Sequence, residues 1–348
     1  MDTTNRILVT GCAGFMGSWI CKELIKRGYS EIYGIDDLSG GSIFNIRDCV
    51  DNRDFTFINQ DLSNTRKTKE IIEDIKPEVI FHLAANAREG ASFFDPLNIV
   101  KRNYFAYINT LEPAIKTGKL DKIILFSSMA VYGNQKPPFS EDLEIRPEDV
   151  YGINKSAMEH TTELLSDVHN FKYIIIRPHN VIGEFQSMKD KYRNVVMIMA
   201  NKILRNEPIY IYGDGRQKRA FSYIEDSLPC YIRSMDEDGD GEYDRINGEI
   251  INIGGSIPIT INTLAELVTK YMGVSGYPVK YLRDRFGEVK DAWCTVDKSR
   301  KLLGYEEQIG YEEGIKRSVR WAKEQGKQEW TNEKLELWND KAPGWWNE

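Results

Sequence analysis

A glycine-rich loop between a short strand and a helix most constrains how this chain can fold. The apolar run at residues 7–10 predicts a strand, and Gly11, Gly14 and Gly17 separate it from a helical pattern at residues 19–27. Glycines let the backbone turn sharply and approach a ligand, and the amides that begin a helix attract phosphate oxygens. The spacing therefore predicts a βαβ unit that binds the pyrophosphate of a dinucleotide.

An acidic residue at the end of the next predicted strand narrows the choice of dinucleotide. Residues 32–35 form the second apolar run, and Asp36 and Asp37 follow it directly. A carboxylate about 20 residues after the glycine loop accepts hydrogen bonds from ribose hydroxyls and repels a 2′-phosphate. Asp36 therefore favours NAD over NADP, and Arg47 lies too far along the chain to reverse this preference.

Strands and helices continue to alternate through the first half of the chain. Further strands are predicted at residues 55–58, 79–85, 123–126 and 173–176, and helices at residues 68–75 and 98–117. This alternation is typical of a Rossmann-type, doubly wound parallel sheet, which binds ligands beyond the carboxyl ends of its strands. Asp61, Leu83, Ser128 and Arg177 are expected at those ends. His82 lies within an apolar run and is interpreted as a core histidine.

The second half of the chain is less regular. Beyond Asn180 we predict a helix at residues 194–205, a strand at residues 209–212 and a basic turn at residues 213–219. We therefore expect an α/β fold in which a smaller mixed α/β lobe binds the substrate. The expected division is an NAD-binding domain carrying the catalytic residues (1–180), a mainly substrate-binding lobe (181–325) and a Trp-rich tail (326–348). Exposed Trp at this density would be costly, so the tail should pack on the protein or on a neighbouring subunit.

Composition limits the classes of function. The 348 residues carry 46 Lys and Arg against 53 Asp and Glu, a net charge of −7, which argues against a general nucleic-acid binder. No apolar run is long enough to span a membrane. The five cysteines are odd in number and lack CxxC spacing, which predicts free thiols in a reducing compartment. We expect a cytoplasmic protein.

A Tyr and a Lys four residues apart carry the predicted chemistry. Tyr151 and Lys155 share one face of a predicted helix, and Ser128 ends the strand before it. An ammonium beside a phenol favours the phenolate, so we expect Lys155 to lower the pKa of Tyr151. The Tyr would then act as general base and acid on an alcohol, with the Ser hydrogen-bonded to the reacting hydroxyl. Lys155 would also hold the cofactor ribose.

Together these motifs resemble the extended short-chain dehydrogenases/reductases, in the NAD-dependent nucleotide-sugar epimerase/dehydratase group of UDP-glucose 4-epimerase-like enzymes. The resemblance covers roughly residues 5–325. The cofactor-binding residues that it implies are Gly11, Gly14, Phe15, Met16, Gly17, Asp36, Asp37, Leu38, Asp61, Leu62, Leu83, Ala84, Ala85, Asn103, Ser127, Tyr151, Lys155 and Pro178. The resemblance also implies a homodimer formed through the long helices at residues 98–117 and 150–169.

The resemblance implies a set of substrate residues as well. Ser128 would contact the reacting hydroxyl of the sugar. Asn180 and Arg219 would bind the diphosphate. Arg285 and Glu288 stand where the family grips phosphate and nucleotide ribose, although Phe and Glu replace the usual Pro and Asp of that segment. His179 is expected in the pocket without an assigned role.

One departure from the family pattern narrows the reaction. The 4,6-dehydratases of this group place an Asp-Glu pair after the catalytic Ser or Thr, where this chain has Met129 and Ala130. Neither side chain transfers a proton, which excludes dehydration by such a pair. The remaining chemistry is oxidation and reduction at one carbinol carbon, and this fits C4 epimerisation through a transient 4-keto sugar. The alternatives are a dehydrogenase or reductase with net NAD(H) turnover, and a dinucleotide-sensing regulator, which would not need the Ser-Tyr-Lys set.

No metal site is predicted. The four histidines, at positions 82, 160, 169 and 179, are too scattered for ligand spacing. The segment Asp236–Gly241 resembles a calcium loop, but Asn247 stands at its twelfth position where a bidentate Glu is required. We interpret that segment as a solvated acidic loop. The sequence leaves the base and the sugar of the substrate open.

Overall fold

A seven-stranded parallel sheet forms the centre of the molecule. The structure is a computed structural model that describes residues 5–235 and 246–347. Its strands are β1 (Ile7–Thr10), β2 (Ile32–Asp36), β3 (Phe55–Asn59), β4 (Val79–His82), β5 (Lys122–Phe126), β6 (Lys172–His179), β7 (Val181–Ile182), β8 (Ile209–Tyr212), β9 (Lys218–Ala220), β10 (Ser222–Tyr223), β11 (Glu249–Gly254), β12 (Pro258–Thr260), β13 (Val279–Leu282) and β14 (Asp291–Ala292).

Helices cover both faces of the sheet and build the second lobe. They are α1 (Phe15–Lys26), α2 (Arg47–Val50), α3 (Thr65–Ile75), α4 (Pro96–Val100), α5 (Ala106–Lys116), α6 (Val150–His169), α7 (Val195–Leu204), α8 (Ile224–Arg233), α9 (Ile261–Met272), α10 (Asp297–Leu303) and α11 (Gly310–Gln325).

The strand order places a ligand crevice at the centre of the sheet. The order is β11-β6-β5-β4-β1-β2-β3, with every neighbouring pair parallel. From β1 the chain adds β2 and β3 on one side, and from β4 it adds β5 and β6 on the other side. The switch point lies between β1 and β4, and ligands of doubly wound sheets bind there. The predicted Rossmann-type sheet is confirmed. Strand β11, from the second half of the chain, forms one edge of this sheet.

Burial and capping explain why these segments form where they do. Every residue of β1, β4 and β5 is buried, as continuous apolar runs covered on both faces require. Helix α6 begins where the Asp149 carboxylate accepts a 2.7 Å hydrogen bond from the amide of Gly152. It ends at Asn170, whose backbone is left-handed with φ of 59°. These caps place Tyr151 and Lys155 in the first turns of α6.

The long helix predicted at residues 98–117 is interrupted. Helices α4 and α5 are joined by a π-helical turn at Lys101–Phe105. Asn103 lies in this turn, and its side-chain oxygen accepts a 2.6 Å hydrogen bond from the amide of Asn86. A π turn widens the helix locally and is frequent at functional sites. Here it lets α4–α5 hold the loop that follows β4.

The Trp-rich tail packs back on the same chain, which is one of the two outcomes that the sequence left open. Trp345 and Trp346 are 8% and 2% exposed. Trp346 lies edge-on to Tyr192 and Phe94, with ring centroids 5.0 and 6.5 Å away. The indole nitrogen of Trp345 donates a 2.7 Å hydrogen bond to the Tyr212 hydroxyl. The tail thereby joins the loop after β4 to the second lobe.

Two further observations concern membranes and metals. Within the described ranges, none of the helices combines the length and the apolarity needed to cross a membrane. Among the same residues, no group of three or more His, Cys, Asp or Glu side chains is arranged to hold a metal ion. The acidic segment at residues 236–241 lies outside the part of the chain that the structure describes.

Candidate active site

A cleft of about 970 Å³ runs along the carboxyl edge of the sheet, across the switch point. Most of the predicted cofactor and catalytic residues line it, although they come from distant parts of the sequence. Those that line it are Gly11, Gly14, Phe15, Met16, Gly17, Asp36, Asp37, Asp61, Leu62, Leu83, Ala84, Ala85, Ser127, Ser128, Tyr151, Lys155, Pro178 and Asn180.

The glycine loop forms a cradle that larger residues would fill. Gly11 has φ of 71°, and a Cβ there would lie 2.9 Å from the backbone nitrogen of Ala84. A Cβ on Gly17 would clash with the carbonyl oxygen of Gly11. No side chain caps the start of α1, and its first turn carries no acidic residue. Uncapped amides at a helix start suit phosphate oxygens, so the loop fits a dinucleotide pyrophosphate.

The carboxylate that ends β2 is buried beside this loop. Asp36 accepts hydrogen bonds from the amides of Ala13 at 3.0 Å and Leu38 at 2.8 Å. Burial raises the pKa of Asp36, and these backbone hydrogen bonds partly offset the rise. The nearby cation is Arg102, whose guanidinium pairs with Asp37 at 2.5 Å. Because Arg102 is already neutralised by Asp37, the region around Asp36 still favours unphosphorylated ribose.

The three predicted catalytic residues meet at the inner end of the cleft. Ser128 accepts a 3.1 Å hydrogen bond from the amide of Ala130 and also shares a hydrogen bond with the phenol of Tyr151. The Nζ of Lys155 lies 5.8 Å from the centre of the Tyr151 ring and donates a 2.6 Å hydrogen bond to the carbonyl of Phe126. The hydroxyl, the phenol and the ammonium thus share one wall of the cofactor cleft.

The predicted effect of Lys155 on Tyr151 is wrong for this structure. Burial is the largest influence on the Tyr151 phenol and raises its pKa, the charge of Glu89 adds to the rise, and the Ser128 hydrogen bond only partly opposes it. Burial also lowers the pKa of Lys155 to about 8, partly offset by the charge of Glu159. Because removing both groups from water disfavours their charged forms, desolvation outweighs the pairing that the spacing suggested.

Two predicted cofactor residues lie outside the lining. Leu38 is part-buried with φ of 61°, and its amide holds Asp36. Asn103 is fully buried and bonds the backbone of Asn86, so it shapes the loop after β4 from behind. Both act on residues of the cleft rather than lining it.

The predicted diphosphate residues form a separate charged cluster. Arg219 and Arg285 both pair with Glu288, at 3.1 and 2.7 Å. Arg219 also donates to the carbonyls of Lys218 and Lys290, each at 2.9 Å. The Nε of Arg285 is buried without a hydrogen-bond partner among the described residues. The cluster is coupled to the catalytic end, since the charge of Arg285 lowers the pKa of Asp149 against its burial.

Two residues expected near the ligand are instead structural. His179 is buried, its Nε2 lies 3.0 Å from the carbonyl oxygen of Gly255, and a Cβ on Gly254 would clash with its ring. The expectation of a pocket residue is therefore wrong for His179, because a narrow glycine pair packs the ring into the core. Arg177 is 1% exposed and pairs with Glu159 at 2.6 Å. His82 is a buried core histidine, as predicted.

Sequence reasoning missed the residues that the tail and the loop after β4 bring to the cleft. Arg88 pairs with the buried Asp190 at 3.0 Å and also with Glu333 of the tail. Arg193 pairs with the same Asp190 at 2.9 Å. The lining residues outside the prediction include Arg88, Arg193, Asn194, Glu333, Lys334, Glu336 and Leu337. The only sequence signal was the Trp-rich tail, which indicated packing but not its place.

A Rossmann sheet that brings a Ser-Tyr-Lys set to a glycine-loop cleft defines a short-chain dehydrogenase/reductase of the extended type. This chain belongs to the NAD dependent epimerase/dehydratase family, whose model matches residues 7–254. The resemblance noted in the sequence and NAD as the cofactor are thereby confirmed, since the glycine cradle and Asp36 also fit NAD.

Similar proteins are nucleotide-sugar epimerases. The chain is 31% identical to a UDP-glucuronate 4-epimerase of Thermodesulfobacterium geofontis, over 91% of this chain and 96% of that protein. It is 33% identical to a putative UDP-glucose 4-epimerase of Methanocaldococcus jannaschii, over 91% and 98%. The UDP-glucose 4-epimerase of Thermotoga maritima, solved with UDP-glucose, has a TM-score of 0.82 at 31% identity, covering 92% of this chain and 99% of that one. The UDP-glucuronic acid 4-epimerase of Bacillus cereus, solved with UDP-glucuronic acid and NAD, has a TM-score of 0.83 at 30% identity, with the same coverage.

Proposed function

We propose that this chain is an NAD-dependent 4-epimerase of a UDP-linked sugar. The 4-epimerase activity, that of an isomerase, is the one that its sequence predicts, and the similarity to epimerases of UDP-sugars supports the choice of UDP. The observation that carries the proposal is the meeting of Ser128, Tyr151 and Lys155 at the cofactor cleft. Met129 and Ala130 provide no acid or base for dehydration. Relatives named as 4-epimerases match nearly the whole chain and support the same activity.

The catalytic roles follow from the chemistry of these side chains. Tyr151 takes the proton of the sugar's C4 hydroxyl and later returns it, while Ser128 orients that hydroxyl. Lys155, held by the carbonyl of Phe126, presents its remaining N–H groups to the cofactor ribose. NAD held by the glycine loop, Asp36 and Lys155 would supply the hydride acceptor, and in its reduced form the hydride donor, for oxidation of C4 and its reduction from the other face. Burial raises the pKa of the Tyr151 phenol, and the hydrogen bond with Ser128 opposes that rise and so favours the ionised form that accepts the C4 proton.

The arginine pair supports a diphosphate site. Arg219 and Arg285 share one carboxylate, Glu288, which leaves one positive charge uncompensated within that trio. The unpartnered Nε of Arg285 provides a buried donor for an anion. Asn180 lines the cleft, and its side-chain amide donates a 3.0 Å hydrogen bond to the carbonyl of Ala220, the residue after Arg219. It would contact the substrate. The domain division stays a prediction, with residues 1–180 mainly for NAD and residues 181–325 mainly for the substrate.

A homodimer is part of the proposal. Large apolar side chains are exposed along α4, the π turn and α6, with Leu97, Leu164 and Val168 each at least 64% exposed. Such a continuous apolar face on a long helix pair suits a second copy of the same surface. All five cysteines are free, which supports a reducing, cytoplasmic setting.

The test is to incubate the purified protein with UDP-, GDP-, dTDP- and CDP-sugars without added cofactor, and to follow anomeric protons by NMR. We expect a second sugar signal to grow without any change in the absorbance of reduced nicotinamide. Conversion that requires added NAD(H), with absorbance changing in step, would instead establish the alternative dehydrogenase or reductase. Tight NAD binding without conversion of any nucleotide sugar would favour the regulator.

A further inference from the structure

The side chain of Arg193 extends from the segment before α7 to the loop that follows β2. Its Nη2 approaches Gly40 so closely that a Cβ on this glycine would lie 3.0 Å from it. Arg193 and Gly40 come from opposite halves of the chain, and both line the cleft. The guanidinium therefore lies where these two segments meet at the edge of the cofactor cleft.

The loop that Arg193 contacts rests on the glycine loop. The amide of Ser42 donates a 2.9 Å hydrogen bond to the carbonyl of Ala13. A Cβ on Gly41, the residue after Gly40, would lie 2.9 Å from the backbone nitrogen of Gly14. Because the glycine loop fits the cofactor pyrophosphate, the guanidinium at Gly40 lies beside the phosphate site.

The buried carboxylate of Asp190 fixes the direction of this guanidinium. One of its oxygens accepts a 2.9 Å hydrogen bond from the Nε of Arg193 and a 3.0 Å hydrogen bond from the Nε of Arg88. The other oxygen accepts a 2.9 Å hydrogen bond from the amide of Tyr192. Since Asp190 is 2% exposed and held by all these donors, it orients the Arg193 side chain firmly.

The two terminal nitrogens of Arg193 are available to a ligand. Among the residues that the structure describes, none accepts a hydrogen bond from them or forms an ion pair at them. A guanidinium carries N–H donors on all of its nitrogens, and Asp190 uses only the one on Nε. The side chain is 24% exposed and lines the cleft. A planar fork of free N–H groups suits the oxygens of a phosphate.

The tail of the chain supports the same arrangement. Arg88, the second partner of Asp190, also pairs with Glu333, which lines the cleft. The Tyr192 hydroxyl donates a 2.8 Å hydrogen bond to the backbone carbonyl of Glu333. A continuous series of ion pairs thus connects Arg193 to the tail through Asp190 and Arg88.

We propose that Arg193 is a further cofactor-binding residue, whose terminal N–H groups bind the diphosphate of NAD, and that its ion-pair connection to the tail positions it. The start of α1 offers a phosphate the partial charges of its amides, whereas Arg193 adds a full positive charge. The diphosphate of a nucleotide sugar has the same chemistry, but the contact with Gly40 beside the glycine loop favours the cofactor. The inference requires NAD and no particular reaction, so it does not depend on the proposed 4-epimerase activity.

The test measures how fast the holoprotein exchanges its bound NAD for isotopically labelled NAD, and the Kd of UDP by calorimetry. Arg193→Gln removes the charge, Arg193→Lys keeps the charge without the planar fork, and Arg53→Gln is a control at a 93% exposed arginine. We expect Arg193→Gln to release NAD at least about tenfold faster, on the scale of one charged hydrogen bond. Arg193→Lys should be intermediate, Arg53→Gln should match the wild type, and the Kd of UDP should stay unchanged.

The positioning role of the tail is tested with Glu333→Gln, alone and combined with Arg193→Gln. If Glu333 acts through Arg193, Glu333→Gln should speed NAD release by itself and add nothing in the double variant. Additive effects of the two substitutions would show that Glu333 does not position Arg193.

NAD release that is unchanged in Arg193→Gln would overturn the inference. Weaker binding of UDP with unchanged NAD release would also contradict it, because the guanidinium would then serve the substrate diphosphate. An equal loss for both ligands, with a lower midpoint of urea unfolding, would show a structural role instead. A wild type that retains NAD but binds no UDP would contradict the proposed function, and NAD release would still decide the role of Arg193.

Discussion

Lys155 donates a 2.6 Å hydrogen bond from its ammonium to the carbonyl oxygen of Phe126, the last residue of β5. The bond ties the second turn of α6 to the strand end that leads into Ser127 and Ser128. The ammonium therefore positions the catalytic wall, and in the proposed function it also binds the cofactor ribose. Its nitrogen lies 5.8 Å from the centre of the Tyr151 ring.

Removing the Tyr151 hydroxyl should stop the reaction and leave the cofactor bound. In Tyr151→Phe no group remains to take the C4 proton, so we expect kcat to fall by about 10²–10⁴-fold. Stopped NMR assays would measure the rate, and absorbance after denaturation would measure retained NAD. Tyr281→Phe, which changes a 57% exposed Tyr, is the matched control. Normal turnover in Tyr151→Phe would refute the mechanism.

Asp36→Ala should weaken NAD binding. The variant removes the acceptor expected to bind the ribose hydroxyls and also frees the amides of Ala13 and Leu38. We expect at least about a tenfold rise in Kd, as the loss of a charged hydrogen bond costs about 1.5–3 kcal/mol. Fluorescence titration with NAD and NADP gives both constants. An unchanged NAD affinity would mean that the adenosine lies elsewhere.

The buried Trp pair of the tail should contribute substantially to stability. Trp346 is 2% exposed against Tyr192 and Phe94, so Trp346→Ala should lower the free energy of unfolding by about 3–5 kcal/mol. Trp338→Ala, at a 39% exposed Trp of the same tail, is the control and should cost less than about 1 kcal/mol. Urea unfolding measures both. Because Glu333 and Leu337 line the cleft, Trp346→Ala should also release NAD faster. Equal losses in the two variants would contradict specific docking of the tail.

Two buried histidines should make the protein less stable in acid. Burial lowers the pKa of His82 to about 3 and of His179 to about 4. Above about pH 6.5 both histidines are neutral in the folded and in the unfolded protein, so they do not change the free energy of unfolding with pH. As pH falls below that value, the unfolded chain binds protons that the folded one refuses, so stability drops by about 1.4 kcal/mol per pH unit for each His. The loss continues to about pH 4 for His179 and about pH 3 for His82.

Urea unfolding measured between about pH 5 and about pH 6.5 checks this. The slope of the free energy of unfolding against pH gives the number of protons taken up on unfolding, and in His179→Gln this number should be lower by about one than in the wild type. Identical slopes in the two proteins would show that His179 protonates equally well when folded.

The apolar face of α6 should hold the dimer together. Leu164 and Val168 are 67% and 68% exposed and lie one turn apart. Leu164→Glu should therefore convert a dimer into monomers, which light scattering would detect, while circular dichroism stays unchanged. A control at the exposed Leu337, far along the chain in the tail, should leave the assembly intact. A monomeric wild type would refute the dimer alone.

Much of the framework is encoded locally and could be predicted. The glycine loop, the strand-end Asp36 and the buried β runs depend on backbone sterics and on alternating apolar segments, which neighbouring residues determine. The same holds for Tyr151 and Lys155, whose spacing sets one helix face. The family match over residues 7–254 agrees with these local motifs.

The electrostatic state of the site was decided by tertiary structure. The sequence placed Lys155 beside Tyr151, but the fold buried both and brought the charge of Glu89 near the phenol, which reversed the expected direction of the pKa. Desolvation depends on everything that packs around a group, and spacing along one helix does not contain that information.

The part of the cleft that the loop after β4 and the tail form could not be predicted from the sequence. The sequence by itself determined the first strands, the cofactor loop and the Tyr151–Lys155 pair, because each is specified by residues close together in the chain. The tertiary structure alone brought Arg88, Asp190 and Glu333 together across 245 residues. Contacts between such distant segments form only when the whole core packs, so no local sequence pattern predicts them.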